Sequence, residues 1–408
     1  MSNNKKPELL APAGSWPSLL SAVQNGADSV YFGVKGANMR ASASNFELSE
    51  IKKIMNILHG QKKRGYLALN TIVMNDKMNL IKRILKEAKK ASVDAIILWD
   101  VGVFNIAKQM GLSIHLSTQA SVSNSEAIQF YNRMGAKRIV LARECTLQQI
   151  QEIKKELNKK QISCEIETFV HGAMCLSISG RCFMSKYSHN KSANQGRCTQ
   201  PCRREYEIKA VDGGEHFLVG QDYVLSPRDL CTIDFIDELI DAGVDTFKIE
   251  GRMRSPEYSS IVTFVYRKAI DAYYEGGLDK ELKEKMKQKL IKVYNRGFSS
   301  GFYFGEPNDE KSRRLGHTHE KIFIGDVRKY YKRVQVADVL IRNDELKIGE
   351  EIIVFGKNTP ASNTVIHEMQ QEHHVVDRAR KGEHVGVKIP FRVRKGDKVF
   401  LWRKKLKS

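Results

Sequence analysis

From the N-terminus to residue 250 the chain repeats one unit, a short apolar run followed by a longer amphipathic stretch. Parallel strands joined by crossover helices write that pattern into a sequence. Eight runs fit it, at 9–11, 29–33, 67–71, 95–98, 113–116, 138–141, 164–170 and 246–250. Between them, apolar residues at three- and four-residue spacing predict helices, among them 16–24, 80–91, 127–134 and 147–157. Several of these stretches end on glycine, as at Gly26, Gly111, Gly135 and Gly243, where a left-handed residue closes a helix. The repeat predicts an α/β fold of the closed (β/α)8, TIM-like kind, with a doubly wound open sheet as the rival topology.

One stretch breaks the rhythm. Residues 171–222, after the seventh strand, are far longer than a strand-to-helix loop and hold four of the seven cysteines. Beyond the eighth strand, 256–275 and 278–294 read as helices, and from Lys321 onward short β-type runs between glycine and charged turns predict a small antiparallel β-barrel. The expected division is a barrel domain at 1–310, carrying the cysteine-rich insertion, and a basic C-terminal domain at 311–408.

In a parallel barrel the C-terminal ends of the strands form the mouth where chemistry is placed. Arg40, Glu167, His171, Lys248, Glu250 and Arg252 fall there as candidate catalytic residues, and Asn38, Asn70, Gln119 and Arg143 as candidate substrate contacts. Arg40, Arg143, Lys248 and Arg252 are cationic donors suited to a carboxylate or phosphate, against the plainer reading of structural ion pairs. His115, on an apolar run, reads as a hydrogen-bonded core residue.

Cys175, Cys182, Cys198, Cys202 and Cys231 fall within 57 residues, with six residues between the first two and fifteen before the third. A zinc finger would set ligands two to four residues apart in paired knuckles. No apolar run is long enough for a secretion signal or a membrane span, so the chain is expected in the cytoplasm, off the membrane, with its thiols reduced. Soft thiolates from one loop plus a more distant one suit an iron-sulfur cluster, and small buried thiols are the plain alternative. Five candidates exceed the usual four ligands, which leaves one spare.

Charge adds a partner. The chain has 67 Lys and Arg against 47 Asp and Glu, a net +20, enough to draw a polyanion. Residues 311–408 hold 23 basic and 12 acidic side chains, a net +11, and read as a nucleic-acid contact with Arg394 and Lys395 in it, or else as a surface kept soluble by charge. Basic residues there are interleaved with Phe391, Phe400 and Trp402, so the aromatics are expected inside the small barrel and the cations outside.

Residues 167–185 read E-x-F-x-x-G-A-M-C-x-x-x-S-G-R-C-x-x-S. With the opening ELLAPAG, the Asn38, Arg40, Asn45 and Phe46 stretch, STQ at 117–119 and KIEGRMRSPEY at 248–258, this resembles the collagenase-like peptidases, peptidase family U32, along essentially the whole chain. The resemblance implies a barrel and an iron-sulfur cluster, of the 4Fe-4S type, on Cys175, Cys182, Cys198 and Cys231, with Cys202 as the alternative ligand. It implies hydroxylation of RNA bases or quinones. In the branch with a basic C-terminal β-barrel it implies prephenate-dependent hydroxylation of the wobble uridine of tRNA. The partners would then be tRNA and a small anionic co-substrate, with self-association or pairing with a related family member. The family's name supplies a second reading, a peptidase, for which no HExxH zinc motif is present. A non-catalytic RNA-binding or scaffolding protein is the third.

Overall fold

The computed structural model describes residues 5–40, 43–204, 206–209, 216–219, 227–305 and 317–405. Eight parallel strands close a barrel: β1 (Glu8–Ala13), β2 (Ser29–Phe32), β3 (Arg64–Leu69), β4 (Ala95–Leu98), β5 (Ile114–Leu116), β6 (Ala136–Val140), β7 (Glu165–Ala173) and β8 (Thr246–Ile249). Neighbours in sequence pair in space, and β8 lies between β7 and β1, with Thr246 opposite both Glu167 and Glu8. Of the two expected topologies, the closed one is adopted. Helices α1 (Trp16–Gln24), α2 (Ile51–Gly60), α3 (Met78–Lys90), α4 (Val101–Gln109), α5 (Ser125–Met134), α6 (Leu147–Lys159) and α7 (Ile236–Asp241) join the strands. They are followed by α8 (Pro256–Tyr274) and α9 (Lys280–Leu290). Successive strand residues face opposite ways, so Leu9, Phe32, Leu67 and Ile96 pack outward in the main core that the helices cover.

The inward faces carry charge as well as the apolar Leu10, Tyr31, Tyr66 and Ile97. Arg138 of β6 donates to Glu8 at 2.7 Å and to Glu167 at 3.4 Å, and Lys248 donates to the other Glu167 oxygen at 2.6 Å. All four side chains are buried. Unpaired, such charges would each cost several kcal/mol in desolvation, so the pairs are obligatory once the ions are inside. Burial by itself would raise the Glu8 carboxyl, but the hydrogen bond and charge of Arg138, with the Ser29 hydroxyl and the Arg64 charge, outweigh it and hold Glu8 below the usual carboxylate range. His115 is in this interior as expected, edge-on to Tyr66 at 4.6 Å, but its Nδ1 has no hydrogen-bond partner among the described residues, and burial keeps its pKa well below the ordinary value.

Two glycines let the seam close at β8. A Cβ at Gly14 would lie 1.9 Å from the Arg252 carbonyl oxygen, and one at Gly33 would lie 2.6 Å from the Arg252 guanidinium. A side chain at Gly14 would push back the backbone that follows β8, and one at Gly33 would displace the Arg252 and Asn38 side chains.

The C-terminal part is an eight-stranded antiparallel sheet in the order Thr359–Val365, Glu351–Gly356, Lys398–Lys404, His319–Tyr331, Val336–Ile341, His384–Lys388, Met369–Gln371, His374–Val375. Among the described residues no ladder joins its first and last strands. The sheet has its own core, including Ile324, Val339, Val354 and Leu401, with Phe391 packed against it. Phe391 is inside as expected, but Phe400 and Trp402 are not. In the last strand Val399 and Leu401 face the sheet's own core, and Trp402 turns to the other face and joins the main barrel core. Phe400 stacks on Phe355 at 4.9 Å, while Lys395, Lys398 and Arg403 are exposed. The sheet docks on the barrel: Ser21 of α1 accepts a hydrogen bond from the Ala361 amide of the edge strand at 2.8 Å, and Lys321 of the strand His319–Tyr331 pairs with Glu257 of α8 at 2.9 Å. The expected junction at 310/311 lies outside the described residues, as does part of the 171–222 insertion.

Replacing Arg138 with Met removes a buried cation shared by Glu8, Glu165 and Glu167, leaving Glu8 to Arg64 and Glu167 to Lys248. We expect the unfolding free energy to fall by about 3–5 kcal/mol in urea titrations. Because the folded Glu8 pKa is depressed, its contribution is present above the ordinary carboxylate range and is lost as pH falls through the lowered value. Arg138→Met should therefore flatten the acid limb of the stability profile, and a loss below about 1 kcal/mol with an unchanged acid limb would contradict this account of the interior.

Candidate active site

The C-terminal strand ends surround a cavity of about 150 Å³. Glu250, one residue past β8, is the only carboxylate among its described lining residues. A register shift between Lys248 and Ile249 in the β7 ladder precedes it. Arg40, from the loop after β2, donates to one Glu250 oxygen at 2.8 and 3.1 Å, and the Tyr31 hydroxyl donates to the other at 3.1 Å. Arg252 donates to Asn38 at 3.0 Å, and its Nε is buried without a partner among the described residues. Arg143 donates to the Ala173 carbonyl at 2.6 Å with its guanidinium 3.9 Å from the Phe169 ring centre. Lys248 lies 4.7 Å from the Tyr31 ring, and Asn70 donates to Gln119 at 3.2 Å.

These charges set one another's protonation. Burial would raise Glu250, but Arg40, Arg143 and Arg252 together bring it down to about 2. Glu250 in turn raises Arg40, whereas burial lowers Arg143 and brings Arg252 down to about 10. Four guanidiniums, Arg203 among them, and an ammonium line the cavity with one carboxylate, so it keeps a positive excess that suits a small anion.

Cys175, Cys182, Cys198 and Cys202 line the same cavity. Burial raises the Cys202 thiol; Arg203 lowers it, and Cys175, Cys198 and Cys182 each raise it further, so the four thiols lie within electrostatic reach of one another. Donors already face three of the sulfurs: the Ser177 amide at 3.4 Å from Cys175, the Met184 amide at 3.3 Å from Cys182 and the Ser185 hydroxyl at 3.7 Å from Cys198. Asn194 holds the segment to the barrel, taking the Cys182 amide at 3.0 Å on its side chain and the Ile72 amide at 3.1 Å on its carbonyl.

Cys231 lies apart from the other clustered thiols. It ends a short strand, Asp229–Cys231, that pairs antiparallel with β7 and puts Cys231 opposite His171. Its thiol is buried 3.9 Å from the Tyr266 hydroxyl, outside the cavity, and burial pushes it up to about 12. Cys202, the alternative, lies at the cavity wall.

Of the other expected residues, Arg40, Asn70, Gln119, Arg143, Lys248, Glu250 and Arg252 line the cavity. Asn38 and Glu167 stand behind it, holding Arg252 and Lys248. His171 is set apart from them, buried among Tyr258, Tyr266 and Phe298 with its pKa lowered to about 3 by burial. Arg394 donates to Thr359 at 2.8 Å and holds the turn before the last strand, and the exposed Lys395 follows it; neither lines the cavity. Sequence reasoning missed Tyr31 and Arg138, whose inward direction is set by strand register. Asn194 was missed as well, although it lies between two of the clustered cysteines.

Residues 14–313 match the family described as Peptidase family U32. The chain belongs to peptidase family U32. Within this U32 chain's relatives, a protein named Collagenase from Porphyromonas gingivalis is 40% identical over 407 residues, 98% of each chain. The tRNA hydroxylation protein P1 of Bacillus subtilis is 36% identical over 360 residues, 86% of this chain and 84% of that one. The 23S rRNA 5-hydroxycytidine C2501 synthase of Escherichia coli is 32% identical over 367 residues, 86% of this chain and 54% of that one.

The thiol geometry of this U32 chain is open to chemical labelling. Cys175 is exposed and Cys231 is buried, so in metal-free native protein iodoacetamide should modify Cys175 readily and Cys231 only on unfolding. Peptide mass spectrometry that found the two labelled at equal rates would contradict the placement of Cys231.

Proposed function

We propose that this chain is an RNA-hydroxylating enzyme acting on the wobble uridine of tRNA, with prephenate as co-substrate and a 4Fe-4S cluster on Cys175, Cys182, Cys198 and Cys202. One observation carries the reading: four thiols and five cations line a single cavity at the barrel mouth. The names of the Bacillus subtilis and Escherichia coli relatives support RNA hydroxylation as the activity class.

The donor set fits the cluster. Among the described residues no three His, Cys, Asp or Glu side chains converge closely enough to chelate a single ion. A 4Fe-4S cluster does not ask for that, since each of its four irons takes one thiolate. Amide and hydroxyl donors to the sulfurs are of the kind that tune such clusters. When bound, the cluster supplies one-electron redox chemistry that side chains lack.

The chain's own residues bind and orient. Prephenate carries two carboxylates, and Arg252, whose Nε is unpartnered among the described residues, and Lys248 are suited to one of them. Arg40 and Arg143, tethered to Glu250 and Ala173, are fixed in direction and suit the other. Glu167 and Asn38 are positioning residues, acting through Lys248 and Arg252. The basic C-terminal sheet supplies further phosphate contacts.

The collagenase reading rests on the Porphyromonas gingivalis relative's name. The string GFSSG at 297–301 matches a nucleophile elbow, but Ser299 lies on a two-residue strand that leads into a turn, without the helix the elbow requires. The described cavity lining also contains no histidine to activate a serine or cysteine.

Nucleoside analysis of tRNA by mass spectrometry tests the reading. Cells lacking the gene should lose hydroxylated wobble uridine, and complementation by the wild type or by Cys231→Ser should restore it while Cys202→Ser should leave it at least about tenfold low. Unchanged modification in the deletion strain would refute the assignment, and restoration by Cys202→Ser with failure of Cys231→Ser would return Cys231 to the ligand set.

A further inference from the structure

The segment that brings the cysteines to the cavity has a second face. Residues 175–204 contain six Lys and Arg and not one Asp or Glu, in a chain whose charges are otherwise mixed. Arg181, Lys186, Lys191, Arg197 and Arg204 are exposed. Large apolar side chains stand among them: Tyr187 is 87% exposed, Ile178 66% and Phe183 65%. Phe183 and Tyr187 lie one turn apart, on and just before the short helix Met184–His189, with ring centres 6.4 Å apart. Solvent exposure of this much aromatic surface gives up burial that each ring could otherwise have contributed, so a contiguous set of such side chains marks a contact surface.

The lip is continuous with the cavity and held rigidly against the barrel. Leu176, Met184 and Cys182 come from this same segment and line the cavity wall. Arg181 donates to Ser121 at 2.9 Å and lies 5.9 Å from the Trp99 ring, which ties the lip to the loops after β4 and β5.

From this we infer that the lip of residues 176–197 is a docking surface for a single-stranded RNA loop, with Tyr187 and Phe183 stacking on unpaired bases and Lys186, Lys191 and Arg197 meeting the phosphates beside the cavity mouth. The occupant follows from the composition. Exposed aromatics offer π-faces to bases, cations spaced between them track a phosphate backbone, and the absence of carboxylates removes repulsion. A base inside a helix is stacked and hidden, so a reaction on a base favours a loop in which it can be turned out into a pocket. The inference rests on the RNA-hydroxylation reading and adds the surface that would choose the substrate's shape.

The test is fluorescence anisotropy on the full chain, purified without oxygen, with a labelled RNA hairpin carrying a seven-base loop and a blunt duplex of equal length. The wild type should prefer the hairpin. Tyr187→Ala, at a side chain too exposed to matter for folding, should weaken hairpin binding about tenfold, leave duplex binding and the visible spectrum unchanged, and be rescued by Tyr187→Trp. The double variant Lys186→Gln/Arg197→Gln should lower the slope of log affinity against log salt by about 1.4. Equal hairpin affinity in wild type and Tyr187→Ala, or no hairpin preference in the wild type, overturns the inference while leaving the hydroxylation reading in place. A change in oligomeric state instead of RNA affinity in Tyr187→Ala also overturns it, and makes the lip a protein contact. Wild-type protein that binds neither RNA nor intact tRNA removes the hydroxylation reading and this one together.

Discussion

The attraction between Glu250 and the guanidiniums around it organises the mouth of this barrel. Arg40, Arg143 and Arg252 come from the ends of three strands, and the Glu250 charge acts on Arg40, Arg143 and Arg252 alike. Without that carboxylate, three cations would face one another in a confined space of low dielectric, where like charges repel strongly. With it, the cluster is held together but not neutralised. The same logic extends down the barrel axis, where Glu167 is shared by Arg138 and Lys248 and Arg138 reaches Glu8. Charges placed inside a barrel must find partners there, and this network keeps Lys248 at the cavity with a fixed direction.

The cysteine segment adds chemistry to a mouth already built for anions. Its thiols are supplied by a loop and not by strand ends, and the loop stays close because Asn194 and Arg203 bind it to backbone groups of the barrel and of the strand-to-strand connection. A U32 chain so constructed places soft thiols and hard cationic donors on one cavity. Few side-chain reactions need both, whereas a redox group handling an anionic co-substrate does.

Most of the barrel was legible because its signal is periodic. The strand at Ala95–Leu98 and the helix at Trp16–Gln24 match the sequence reading residue for residue, and the other runs differ only at their ends. Mouth residues were legible for the same reason, since a strand end dictates which side of a barrel a residue joins. Direction across the wall was not. His171 lies on β7 at the mouth end yet turns into the packing of α8, because the ladder to β8 slips by one residue between Phe169 and His171 and breaks the alternation that points Glu167 and Phe169 inward. Cys231 and Cys202 could not be separated by spacing either: the antiparallel pairing of Asp229–Cys231 with β7 turns Cys231 toward Tyr266, and no local sequence signal announces that pairing. Closure of the C-terminal sheet depends on long-range pairing of its outer strands, again beyond a local pattern.

The central claim is that the thiols at the barrel mouth hold an iron-sulfur cluster beside an anion site, and iron and acid-labile sulfide analysis of the full chain purified without oxygen tests it most directly. The account predicts about four iron and about four sulfide per chain, with a broad visible absorption that bleaches on reduction. Protein that is folded, free of sulfide and either metal-free or loaded with zinc would contradict it.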